Sequence, residues 1–272
     1  MTAAAYPALE KRRALADRVV AHLAAHTELK ATLLTGSVAQ GTCDDRSDID
    51  LLNYYETLPE RSAFDRLLGE LGAQLGRELS PPGAAEFVAG YQIEGVELQT
   101  GAQLTRTLEA SIDRIAAGEV NWAGAKEAMG LQEGIALHGA DLVSSWQARL
   151  SYPEELRRRE IEANLGFFPI WALGEYLSTR DAALFERQML LDGAFRVVAV
   201  LSALNGLYFS TFQFKRTQSH VARMGLKPER LAERLNLVAD APAPEAGDEL
   251  RRLVEETKAL VKAELPDLPD QP

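Results

Sequence analysis

The stretch LLTGSVAQGTCDDRSDIDLL, residues 33 to 52, limits what this chain can fold into more than any other segment. Two short apolar runs bracket it. Between them lie Gly36-Ser37, ten residues, and then Asp48-Ile49-Asp50-Leu51. In an extended strand alternate side chains share a face, so Asp48 and Asp50 point one way while Ile49 and Leu51 point into a core. The segment therefore predicts a strand, a small-residue turn and a second strand with one polar face. Gly36 supplies backbone conformations closed to other residues, and Ser37 is expected to cap a helix beginning near Val38.

Around this segment two styles of sequence follow one another. Leu15, Val19 and Leu23 recur at four-residue spacing, which predicts a helix over about 8–25, followed by a strand at Ala31–Leu34. A helix is expected over about 59–77, and Pro81-Pro82-Gly83 breaks the chain before two strands. These are Tyr91-Gln92-Ile93 and Val96-Glu97-Leu98-Gln99, joined by a tight Glu94-Gly95 turn. From Gln103 onward the pattern is helical, over about 103–117, 121–133, 139–150, 153–178, 181–209, 213–224, 227–238 and 245–264. The expected fold is α+β: a mixed-sheet domain over 1–103, an all-helical domain over 104–265 and a loose tail over 266–272.

Two carboxylates as close as Asp48 and Asp50 repel unless a cation sits between them. Hard oxygen donors favour Mg²⁺, which takes one or two carboxylates and completes its shell with water and substrate phosphates. Gly36 lets a phosphate approach the backbone closely, and N–H groups at a helix start face an anion. Arg46 and Ser47, immediately before Asp48, are further candidate phosphate contacts. Either half of the motif alone would read as a hairpin turn or an acidic surface strand. The joint spacing points to a nucleotide-metal site.

That joint pattern resembles the nucleotidyltransferase superfamily, which includes DNA polymerase beta and the aminoglycoside nucleotidyltransferases. The matching residues are Gly36, Ser37, Asp48 and Asp50, within about 33–52. The resemblance implies a mixed-sheet catalytic domain joined to a helical bundle, with transfer of a nucleoside monophosphate from Mg²⁺-bound ATP or another nucleoside triphosphate to a hydroxyl of a small acceptor. It also implies a third carboxylate on a later strand. Glu97 matches best, on the polar face of its strand together with Gln99, ahead of Glu86 and of Glu94 in the turn. Asp48 and Asp50 would hold metal, and Glu97 would either bind a second metal or accept the hydroxyl proton. Lys215 most resembles the lysine that members of the family extend from their helical domain to the triphosphate. With Arg216 it ends the uncharged segment Val197–Phe214, which as one buried helix would deliver both to the end of a bundle. An aminoglycoside-like antibiotic leads among acceptors. The alternatives are a toxin-like or regulatory enzyme acting on a protein or a tRNA end, and a nucleotide-binding module without turnover.

The net charge of −11 offers no basic field for a long nucleic acid and suits a small cationic acceptor instead. The single Cys43 excludes an intramolecular disulfide and, with no export signal at the N-terminus, fits the cytoplasm. Val197–Phe214 contains Ser202, Asn205, Gly206, Ser210 and Gln213, which suits a buried helix better than a membrane span. The four histidines show no metal-ligand spacing apart from His22 and His26, expected as a solvent-facing pair. Trp122, Trp146 and Trp171 are expected in the core or at an interface, and Arg157-Arg158-Arg159 on a solvated helix face.

Overall fold

The structure, a computed structural model, describes residues 6–212 and 214–268. The chain begins with α1 (Tyr6–His26), β1 (Leu29–Thr35), α2 (Gly36–Ala39), β2 (Ile49–Tyr55), α3 (Arg61–Glu70), β3 (Gln74–Ser80), β4 (Glu86–Ile93) and β5 (Val96–Leu104). It continues through α4 (Thr105–Ala116), α5 (Trp122–Glu133), β6 (Ile135–His138), α6 (Ala140–Arg149) and α7 (Glu154–Asn164). A turn of 3₁₀ helix (Ile170–Ala172) precedes α8 (Gly174–Ser178), α9 (Ala183–Leu204), α10 (Thr217–Ala222), α11 (Leu231–Asp240) and α12 (Ala243–Glu264). The fold is α+β, as expected.

The six strands form one mixed sheet in the order β3-β4-β5-β2-β1-β6. Only β2 and β5 run parallel; every other neighbouring pair is antiparallel. Burial alternates along β2 and β5 as the sequence pattern requires, with Ile49, Leu51, Val96 and Leu98 buried and Asp50, Glu97 and Gln99 partly exposed between them. The buried set packs with Leu15, Val19 and Leu23 of α1 and with Phe64 of α3. At the Glu94-Gly95 turn both residues have positive φ, 50° and 76°, the geometry a two-residue hairpin favours. A buried polar ladder crosses three strands. Thr32 Oγ1 donates to Asn53 Oδ1 at 2.8 Å, and Asn53 Nδ2 donates to Thr100 Oγ1 and to the Gly101 carbonyl, each at 2.8 Å.

The described chain forms two compact units. One comprises the residues up to Glu119 together with Glu127–Ser151; the other comprises Val120–Lys126 and the chain from Tyr152 onward. A division at residue 103 therefore misses α4, β6 and α6, which belong to the unit holding the sheet. Trp146 of α6 is fully buried there, edge-on to Tyr54 of β2 at 5.0 Å. In the helical unit, Leu190, Val197 and Leu201 of α9 pack with Val238 of α11 and with Leu250 and Leu253 of α12. Gly193 permits the approach, since a Cβ there would lie 2.6 Å from Leu250.

Several elements differ from expectation for identifiable reasons. The helix expected over 59–77 ends at Glu70, where Gly72 (φ +84°) donates to the Gly69 carbonyl, and Gln74–Ser80 is instead an edge strand. β3 is exposed on both faces from Gln74 to Leu79, so it has no apolar alternation to read. β6 is four residues long and follows Gly134, where a Cβ would meet Leu33 at 2.6 Å. The helix expected over 153–178 breaks after Asn164, and the one over 181–209 ends at Leu204, before Gly206 (φ +64°). Of the expected tail, Asp267 pairs with Arg158 at 2.7 Å and Leu268 packs against the helical core, while 269–272 lie outside the described residues. Trp171 is partly buried against that core, and the Trp122 side chain lies outside the described residues. Among the described residues no helix is long and apolar enough to cross a membrane.

Candidate functional site

β2 and its approach set the geometry. Asp50 stands opposite Thr35 of β1 and Gln99 of β5, and Asp48 lies just ahead of the strand. Because β2 and β5 run parallel in this register, Asp50, Glu97 and Gln99 occupy one face of the sheet. Gln99 Nε2 donates to Asp48 Oδ2 at 2.6 Å and to Glu97 Oε1 at 3.3 Å, so one amide joins the two acids. From β3, Arg77 Nη2 donates to Glu97 Oε1 at 2.7 Å. The competing acids lie elsewhere. Glu94 pairs with Arg18, and Glu86, at the far end of β4, accepts from Ser80 Oγ at 3.2 Å and from Gln103 Nε2 at 3.4 Å.

Gly36, just past the end of β1, presses against Asp50. Its φ is +68°, and a Cβ built there would lie 2.2 Å from Asp50 Oδ2, so the Asp50 carboxylate occupies space that only glycine leaves open. α2 begins at Gly36 itself, with Thr35 in the capping position. Ser37 is thus inside the helix and does not cap it; its carbonyl accepts from the Thr42 amide at 2.9 Å.

The loop between α2 and β2 is held from within and from α1. Ser47 Oγ donates to Asp44 Oδ1 at 2.9 Å and accepts from the Asp44 amide at 3.0 Å, which commits this hydroxyl inside the loop. Arg46 is exposed, and its guanidinium makes no hydrogen bond or ion pair among the described residues. Arg12, only 4% exposed, donates to the carbonyls of Ser47 at 2.7 Å, Asp45 at 2.9 Å and Ala8 at 3.3 Å. Its role was not visible in sequence, because 33 to 35 residues separate it from the loop it holds. Gln99 was visible, two residues beyond Glu97 on the same strand face. Lys215 is exposed in the irregular segment between α9 and α10, so no helix end delivers it; it belongs to the helical unit.

Among the described residues no three of His, Cys, Asp and Glu gather closely enough to hold a metal ion. Asp48 and Asp50 nonetheless suit Mg²⁺, which needs no more than one or two protein carboxylates, and Gly36 leaves the space at Asp50 clear of side chain. Glu97, paired with Arg77, stands beside this donor pair as a neighbour hydrogen-bonded through Gln99. The arrangement can place two hard oxygen donors at a backbone turn.

No family model matches the chain, and no curated protein matches it. Among solved structures it is similar to a nucleotidyltransferase-like protein from Exiguobacterium sibiricum 255-15, at 10% identity and a TM-score of 0.39, over 91% of this chain and 76% of that one. Similarity at that level leaves the reading of the site to its own residues.

Proposed function

We propose that this protein transfers a nucleoside monophosphate from a Mg²⁺-bound nucleoside triphosphate, ATP being the first donor to test, to a hydroxyl of a small acceptor. One observation carries this reading: Asp50 packs so closely on the Gly36 turn that a side chain there would displace its carboxylate, while Asp48, two residues earlier, is held by the Gln99 amide from the neighbouring strand. Asp48 and Asp50 hold the metal, and Gln99 fixes the orientation of Asp48 by its 2.6 Å hydrogen bond. When bound there, Mg²⁺ neutralises charge on the transferring phosphates. Gly36 gives the Asp50 carboxylate its place, and Arg46 in the adjoining loop offers the phosphates an uncommitted cation. Glu97 takes the acceptor's proton or binds a second metal once released from Arg77. An acidic chain favours a cationic acceptor of the aminoglycoside type over a long nucleic acid.

The test is incubation with Mg²⁺ and each labelled nucleoside triphosphate against a panel of antibiotics, tRNA and cell lysate, reading pyrophosphate release and product mass. Asp48→Asn and Asp50→Asn should each lower metal-dependent turnover by orders of magnitude with the fold intact by circular dichroism. Wild-type turnover in the double variant would sink the proposal.

The ion pair between Arg77 and Glu97 favours a second reading, a nucleotide-binding module without turnover, because it occupies the third carboxylate. Under the first reading Glu97→Gln slows transfer far more than it weakens nucleotide binding. Under the second, nucleotide binds with no pyrophosphate released on any acceptor.

A further inference from the structure

A bulge in β3 turns Arg77 toward the acids on the sheet. Leu75 stands opposite Tyr91, and a shift of one residue then places Arg77, not Gly76, opposite Gly90. Without that bulge Arg77 would stand opposite Ala89, which is buried in the core on the other face of the sheet. With it, Arg77, Gly90, Gln99 and Asp50 stand in one row across β3, β4, β5 and β2. Gly90 leaves a gap in this row. A Cβ there would lie 3.2 Å from Glu97 Oε1, 3.3 Å from Arg77 Cγ and 3.5 Å from Arg77 Nε, so the arginine side chain runs over the glycine toward β5.

The contact it makes there is a weak hold. Arg77 Nη2 donates to Glu97 Oε1 at 2.7 Å, and Gln99 Nε2 donates to the same oxygen at 3.3 Å. Glu97 Oε2 and the other guanidinium nitrogens of Arg77 have no hydrogen-bond partner among the described residues. The Arg77 side chain is 58% exposed and that of Glu97 33%, and a one-pronged ion pair so open to water adds little to stability. A phosphate group can accept from both prongs of a guanidinium, and a triphosphate carries more charge than one carboxylate. Arg77 is thus placed to exchange Glu97 for an anion of higher charge held at the Asp50 end of the row.

We infer that Arg77 binds the triphosphate of the nucleotide and that this contact frees Glu97, an inference that rests on the nucleotide site proposed for Asp48 and Asp50. The nucleotide itself then converts the third carboxylate from an ion-pair partner into a group able to act on the acceptor, which reconciles an occupied Glu97 with turnover. Calorimetry of the full chain with Mg²⁺ and ATP, GTP, CTP or UTP, without acceptor, tests it, the tightest of these being carried to the variants. Arg77→Gln should weaken that nucleotide about tenfold or more, as the loss of a charge-assisted contact predicts, and Arg77→Lys should recover part of the loss. Glu97→Gln should bind it as tightly as wild type or more tightly, because the rival for Arg77 is gone, and should give no gain in the Arg77→Gln background. Melting temperatures should stay close to that of wild type, since the pair is exposed. An ion pair that only supports the fold gives another pattern: either substitution breaks it, so both weaken nucleotide equally. That pattern, wild-type affinity in Arg77→Gln, or no nucleotide bound by the wild-type chain overturns the inference. Turnover is read apart from binding. Affinity that depends on Arg77 without pyrophosphate release on any acceptor sinks the transfer reading and leaves the inference standing, whereas transfer together with wild-type affinity in Arg77→Gln sinks the inference alone.

Discussion

At Gly36 a single carbon atom decides where Asp50 sits. A Cβ there would come within 2.2 Å of Asp50 Oδ2, whereas one at Gly95, also at positive φ, would meet nothing within 4 Å. Both Gly→Ala changes therefore carry backbone strain of about 1–3 kcal/mol, visible in thermal melts. Only Gly36→Ala should also abolish transfer, by displacing a metal-holding carboxylate; equal loss of activity in Gly95→Ala would show that strain alone accounts for it. His220 gives a second residue-level expectation. It is 5% exposed, lies 2.8 Å from Ser202 Oγ through Nε2 and packs against Phe209 and Phe214, while Nδ1 is buried without a partner among the described residues. Burial, and secondarily the charge of Arg223, lowers its pKa from 6.5 to about 4. The unfolded chain thus binds the extra proton first, so the stability contributed by neutral His220 is complete above pH 6.5 and is lost as pH falls toward 4. His220→Gln should flatten the melting temperature across that window, and an unchanged slope would show that other groups set it.

Among the elements, α1 does more than cover the sheet. Arg12 reaches from its buried face to the carbonyls of Asp45 and Ser47, and so fixes the loop that ends at Asp48. Arg12→Met removes these charge-assisted bonds and leaves carbonyls short of donors, at a cost of about 2–4 kcal/mol in urea unfolding. Amide exchange at residues 44–48 should quicken more than in the sheet core; uniform quickening would mean that Arg12 supports the unit as a whole and not the loop. The first residue of the Arg157-Arg158-Arg159 run shows the same principle. Arg157 donates to the Leu204 carbonyl at 3.1 Å at the end of α9, whereas Arg158 holds Asp267 in an exposed ion pair and Arg159 is exposed, so the run is a solvated face apart from Arg157.

For the whole molecule, charge is the deciding quantity. A triphosphate carries more negative charge than Arg46 and one metal offset, and the chain as a whole adds a net −11. Lys215, exposed in the helical unit, remains the proposed contributor. Lys215→Ala should weaken triphosphate binding by calorimetry while sparing acceptor binding, and an unchanged nucleotide dissociation constant would remove it from the proposal. The same charge predicts no retardation of duplex DNA or long RNA at physiological salt, a direct mobility measurement.

The sequence by itself determined the local geometry of the candidate site. Strand alternation put Asp50 and Glu97 on polar faces, and glycine chemistry placed the turns at Gly36 and Glu94-Gly95, because both effects act over a few residues. It also determined the α+β class and the apolar stripe Leu15, Val19, Leu23. Tertiary structure alone decided which strands pair, and so that Gln99 joins Asp48 to Glu97, that Arg77 takes the other side of Glu97, and that Arg12 holds the loop. It alone made strands of Gln74–Ser80 and Ile135–His138, one without a buried face and the other too short for a periodic signal. Each of these depends on partners far apart in the chain, brought together by hydrogen bonding along a sheet edge or by a buried guanidinium. No local pattern of residues encodes such meetings.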